Sequence, residues 1–138
     1  MLVVGSSLGG WVAAEMARDT AGLVSGLALV DAVGIDVPGE PIQGFFTLDP
    51  PTLGEYTWHD PKLRRRPARV RVPALLLCGE SDRIVTPTYG AAYAAAFGDG
   101  RLVVVPEAGH LPHTENPAAT LSHLDARAWL DRHRDSRA

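Results

Sequence analysis

Met1-Leu2-Val3-Val4-Gly5-Ser6-Ser7-Leu8-Gly9-Gly10-Trp11 opens the chain, and its reading decides the fold. Four apolar residues run straight into Gly5-Ser6-Ser7-Leu8-Gly9, a G-x-S-x-G pattern, and an Ala-rich stretch from Trp11 to Arg18 comes next. The order is a buried strand, a tight turn and a helix. A serine on such a turn is pushed out of the strand with its Oγ exposed. Glycines at 5 and 9 permit strand and helix to approach closely where larger side chains would block them. The helix N-terminus points at the same spot, so the Leu8 amide can donate to negative charge developing beside Ser7. Gly-Ser turns also occur with no chemistry attached, so the pentapeptide is weighed together with the other strand ends of the chain.

Outward from this stretch, apolar periodicity predicts a helix over Leu8–Asp19 with Val12, Ala13, Met16 and Ala17 on its inner face. A second strand, Leu27-Ala28-Leu29-Val30, ends at Asp31. It is short, apolar on both faces and separated from the first strand by a helix, the pattern of a parallel sheet covered on both sides. Residues 34–72 hold Pro38, Pro41, Pro50, Pro51, Pro61 and Pro67 with no sustained period, so they form neither one helix nor one strand. Thr52 caps a short helix reaching Trp58 in this reading. Phe45, Phe46, Tyr56 and Trp58 either cover an apolar cleft or anchor the excursion to the body. Lys62, Arg64, Arg65, Arg66, Arg69 and Arg71 read as a solvated connector.

Val72 to Gly79 is a third buried strand. Thr86-Pro87 then reads as N-cap and first residue of a helix to about Phe97. Leu102–Val105 is a fourth strand, and 106–115 a loop carrying His110 and His113. Asn116-Pro117 starts a last helix with Leu121, Leu124 and Ala128 at helical spacing. Alternating strands and helices argue an α/β fold with a parallel sheet of about four strands covered by helices. The whole chain, 1–138, reads as one domain with 34–72 as a cap-like excursion.

The chain has 138 residues, 46% hydrophobic and 21% charged, enough for one core. A net charge of -3 gives no support to a nucleic-acid partner. The single Cys78 lies in an apolar run and reads as a core residue, which suits a reducing cytoplasm. No basic n-region precedes the first strand, and no apolar run approaches the roughly 20 residues of a membrane span. The expectation is a cytoplasmic protein with no membrane contact.

In parallel α/β sheets, function gathers at the carboxyl ends of the strands. Ser7, Asp31, Asp82 and His110 each come directly after a strand and would share one rim. A serine hydroxyl needs a base to take its proton, and the base needs an orienting acid. His110, beside the small Gly109, is the candidate base, with His113 as its more solvent-facing competitor. Asp82 is the candidate acid and Asp31 the alternative. His110, His113 and Glu115 are close in sequence, but the spacing H-x-x-H-x-E matches no metal-ligand set, and the reading assigns no metal.

Gly5 to Gly10, Gly79-Glu80-Ser81-Asp82-Arg83-Ile84-Val85-Thr86-Pro87, and Gly109-His110-Leu111-Pro112 with Glu115-Asn116-Pro117 together resemble the three catalytic segments of the α/β-hydrolase fold, in that family's order. The resemblance covers nearly all of the chain except the excursion, where the family carries a variable cap. It implies Ser7 as nucleophile, His110 as base, Asp82 as acid and the Leu8 amide as one oxyanion donor. A serine hydrolase on an ester or related acyl substrate needs no cofactor, and the short excursion favours small, uncharged esters, with Phe45, Phe46 and Trp58 lining a modest apolar pocket. Ser6 stands where many members have His. The family's sheet has strands ahead of the nucleophile strand, one of which supplies a second oxyanion amide; the sequence in hand opens at the nucleophile strand. Two readings result: a serine hydrolase, or a weak or inactive hydrolase portion that needs those strands from another chain. In both, the Met1–Val4 strand is an unprotected apolar edge, open to a homo-oligomer or a partner chain.

Overall fold

The computed structural model of the protein describes residues 1–20, 22–42 and 65–125. Its elements run β1 (Leu2–Ser6), α1 (Leu8–Asp19), β2 (Gly26–Val30), β3 (Ala74–Gly79), α2 (Pro87–Ala96), β4 (Gly100–Val105), α3 (Pro112–Glu115) and α4 (Pro117–Leu124). A short 3-10 turn at Pro67–Arg69 leads into β3. The four strands form one parallel sheet in the order β1-β2-β3-β4. β2 and β3 are buried along their whole length, as continuous apolar strands between two covered faces must be.

Alternation along the strands sorts the core into two layers. Leu27 and Leu29 of β2 and Ala74 and Leu76 of β3 pack with Ala13, Ala14 and Ala17 of α1 and Tyr89, Tyr93 and Phe97 of α2. Val30, Leu75, Leu77 and Val105 face the opposite way, toward Ala119 and Leu124 of α4. Thr86 caps α2 by accepting from the Tyr89 amide, and Asn116 caps α4 by accepting from Ala119, each with Pro next in the chain as the sequence implied. The segment 106–115, expected as loop throughout, closes with the single turn α3.

Two expectations about α1 need correction. Its inner face is Gly10, Ala13, Ala14 and Ala17, whereas Val12 is 55% and Met16 43% exposed. The helix lies so close to the sheet that only small residues fit beneath it, and the larger apolar ones turn outward. The second correction concerns Gly9. A Cβ at Gly5 would meet the Gly9 carbonyl oxygen at 2.3 Å, and one at Gly10 would meet Ala32 Cβ at 2.3 Å, but one at Gly9 meets nothing within 4 Å. The close approach rests on Gly5 and Gly10. The expected helix over 52–58, with Phe45, Phe46 and Trp58, lies outside the described residues.

Gly79 ends β3 against the loop after β4: a Cβ there would stand 1.9 Å from the Gly109 carbonyl oxygen. Gly79→Ala is therefore expected to cost about 1–3 kcal/mol through forced separation of the two loops. Gly9→Ala is expected to gain up to about 1 kcal/mol from helix propensity alone. Urea midpoints of the two variants, which should move in opposite directions, check both.

Candidate active site

Ser7 lies between β1 and α1 with φ 52° and ψ −120°. A positive φ is unfavourable for a residue with a Cβ, costing on the order of 1–3 kcal/mol, and survives only where neighbours enforce it. Here the Ser7 amide donates to Val30 O at 2.9 Å, and its carbonyl accepts from Gly10 and Val33 at 3.0 and 3.3 Å. The turn is thus tied to the end of β2. Leu8, at the first position of α1, has an amide that no carbonyl of its own helix can take, and it opens beside Ser7.

The loops after β3 and β4 are joined at their backbones. Glu80 and Ser81 amides donate to Val105 and Ala108 carbonyls at 2.9 Å each. This brings the three sequence-inferred side chains together. His110 Nδ1 lies 2.8 Å from Asp82 Oδ2, and His110 Nε2 lies 3.2 Å from Ser7 Oγ. Asp82 is buried and also accepts from the Ile84 and Val85 amides at 2.7 and 3.1 Å. Burial pushes its carboxyl upward, but the bonds from His110, the Ile84 amide, Asp31 and the Val85 amide outweigh it, and the net direction is below the usual carboxylate range. An ionised Asp82 only accepts, so Nδ1 carries the imidazole proton and the Nε2 lone pair faces Ser7 Oγ.

The structure brings Asp82, and not Asp31, to the imidazole. Asp31 ends β2 in a positive-φ conformation (43°), and its Oδ1 accepts from the Gly79 amide at 3.0 Å. His113 sits exposed on α3. The two carboxylate oxygens of Glu115 accept from the Gly109 and Leu111 amides at 2.8 and 3.0 Å, gripping the backbone on both sides of His110. Glu80 does similar work from below, accepting from Glu107, whose φ is 52°. Sequence reasoning gave neither Glu80 nor Glu115 this holding role. The signal available for Glu115 was a carboxylate one helical turn beyond a Gly-His pair. Phe45, Phe46 and Trp58 fall outside the described residues.

The comparisons with known proteins agree with this architecture. The profile described as alpha/beta hydrolase family matches residues 46–123, more than half of the chain. The chain belongs to the alpha/beta hydrolase family. A Mycobacterium tuberculosis protein bearing the name non-heme bromoperoxidase BpoC is 41% identical over 61 residues, which is 43% of this chain and 23% of that protein. A bacterial membrane phospholipase A superposes with a TM-score of 0.72 at 21% identity, over 97% of this chain and 57% of its own. An esterase from Thermogutta terrifontis gives 0.65 at 21% identity, over 96% and 65%. This alpha/beta hydrolase chain therefore spans just under two thirds, or less, of these relatives.

The Glu115 clamp predicts a local effect. Glu115→Ala should speed amide hydrogen exchange at Gly109 and Leu111 at least tenfold while lowering global stability by no more than about 1–2 kcal/mol. Exchange monitored by NMR in the two proteins checks it, and unchanged protection at both amides would show that the clamp is idle.

Proposed function

We propose that this chain carries the reaction centre of a serine hydrolase acting on an ester or related acyl substrate. The observation that carries this reading is the hydrogen-bonded line Ser7–His110–Asp82. Ser7 Oγ attacks the acyl carbon while its proton passes to His110 Nε2, and the ionised Asp82 stabilises the imidazolium formed. The oxygen of the tetrahedral intermediate takes the Leu8 amide, backed by the dipole of α1. His110 returns the proton to the leaving group, leaving an acyl-Ser7. A water that gives its proton to His110 then cleaves the acyl-enzyme and frees the acid. The sequence of steps requires no cofactor. Relatives named as an esterase and a phospholipase A share the fold, which supports an acyl substrate class.

A second element of the proposal concerns assembly. Among the described residues β1 is one edge of the sheet, with Val4 52% exposed, and Met1, Leu8, Val12, Met16 and Leu23 are exposed apolar residues. A groove of about 560 Å³ runs along the outer side of α1, lined by Leu8, Trp11, Val12 and Met16 among others. Unpaired strand edges and apolar patches of this kind recruit further strands. In our reading such strands, from another segment or a partner chain, pair with β1 and bring the second oxyanion amide. Removing one such donor costs on the order of 10²–10³ in rate.

A fluorophosphonate probe is expected to label Ser7, and Ser7→Ala to abolish labelling. Labelling that survives in the variant refutes the nucleophile. Val4→Lys, which places a charge on the edge, should weaken self-association or partner binding of residues 1–138. Sedimentation velocity checks this, and an unchanged distribution between the two proteins rejects the edge as the interface.

A further inference from the structure

Asp31 is the most deeply buried acid of the described residues, 1% exposed, and its surroundings are not those of a carboxylate. Its Oδ1 accepts from the Gly79 amide, while its Oδ2 is buried with no partner of its own. Arg18 pairs with Glu15 and Asp19, Arg66 with Glu15, and His110 with Asp82, so each of these cations is engaged with an acid other than Asp31. What Asp31 does face is a second acid: an oxygen of Asp31, Cys78 Sγ and an oxygen of Asp82 all lie within 4.8 Å of one another. Two buried carboxyl groups at that separation cannot both be ionised without a cation between them.

The division of charge is set by the donors. Asp82 receives three hydrogen bonds, from His110 and the Ile84 and Val85 amides, all of which favour its anion. Asp31 receives a single amide, that of Gly79. The proton therefore resides on Asp31, and the orphaned Oδ2 is where it sits. The Cys78 thiol, its Sγ 3.2 Å from Val85 O, also hydrogen-bonds Asp31, which leaves Asp82 as the acceptor for the Asp31 proton. A metal in this cluster would require the Cys78 thiolate, but burial and the facing Asp31 push that thiol upward.

We propose that Asp31 is a positioning residue for the Ser7–His110–Asp82 line, a neutral carboxylic acid that donates its proton to Asp82 and holds that acceptor from behind. His110 reaches from the loop after β4 across the ends of β3 and β2 to Ser7, and Asp31 ends β2 within that span. An Asp82 held by amides, imidazole and Asp31 has no freedom to swing away from Nδ1. The proposal rests on the serine-hydrolase reading for its catalytic meaning, but the contact itself does not depend on it.

Protonation makes the device pH-sensitive. Burial first, then the facing Asp82, push the Asp31 carboxyl up to about 8. The titratable groups that face it are Cys78 on β3 and Asp82 on the loop after it, with His110 behind Asp82. Loss of the proton puts two negative charges side by side and turns a donor into a repelling group. A folded state that keeps a proton the unfolded chain releases above its ordinary carboxyl value loses stability as pH rises from there to about 8. Asn at 31 keeps a donor toward Asp82 and has nothing to titrate.

The test compares wild type, Asp31→Asn and Asp31→Ala by NMR of the His110 ring from pH 4 to 10, the His110 signals being identified among the five histidines as those lost in His110→Gln. Wild type should show a second, smaller inflection in the ring shifts with a midpoint about 8. Asp31→Asn should lack that inflection while keeping the downfield Nδ1–H signal, which Asp31→Ala should broaden or lose. Fluorophosphonate labelling of Ser7 should fall at least tenfold above the inflection in wild type and stay flat in Asp31→Asn. The urea midpoint should fall from pH 5 to pH 8.5 more steeply in wild type than in Asp31→Asn. Should Asp31→Ala not fold, the Asn comparison carries the test. An inflection that persists in Asp31→Asn, or a wild type without one, overturns the proposal. An inflection that vanishes in Asp31→Asn beside a Ser7 that no probe labels overturns the hydrolase reading and leaves Asp31 in place.

Discussion

The candidate site depends on one close approach, that of Gly79 to the carbonyl of Gly109. With no side chain at Gly79, the end of β3 and the loop after β4 touch backbone to backbone, and the Glu80 and Ser81 amides close the seam. Asp82 and His110 inherit their 2.8 Å separation from that contact. A Cβ at this point would require the loops to part, and the imidazole would leave both its acceptor and Ser7. Backbone contacts are stiffer than side-chain ones, which is why a catalytic geometry is better built on them.

Around this seam the site is held from several sides by groups that do no chemistry themselves. Glu115 grips the amides on both sides of His110, Glu80 holds Glu107, and the Ser7 turn is tied to β2 through Val30. Three residues with a Cβ sit at positive φ in the described chain, Ser7, Asp31 and Glu107, and all three are at ends of strands on the same rim. Strain concentrated there is consistent with a site that must aim side chains rather than continue regular structure. The buried pair of acids beneath His110 adds a second constraint, since only one of them can carry the charge.

The opposite flank of the chain has a different character. β1 is an edge among the described residues, and α1 turns Leu8, Val12 and Met16 outward because the sheet side admits only Gly and Ala. The relatives whose structures match are longer than this chain, which covers 57% and 65% of two of them. The rim that holds Ser7 therefore adjoins the surface on which our reading places further strands.

The sequence determined the alternation of strands and helices, the parallel sheet, the caps at Thr86 and Asn116 and the positions of Ser7, Asp82 and His110. Those features are local: apolar runs of strand length, capping residues and small residues leave their mark within a few positions. It could not choose the outer face of α1, because a helical period shows where apolar residues recur but not how near the sheet lies. It named Asp82 as the candidate acid but kept Asp31 as an alternative, since both come after strands. The tertiary structure decided which of them meets the imidazole: Asp82 does, because β3 and β4 are neighbours whose C-terminal loops touch, whereas Asp31 is turned inward and buried beside Asp82. The clamp by Glu115 was equally hidden, for a carboxylate six residues from Gly109 becomes its partner only when the α3 turn folds back.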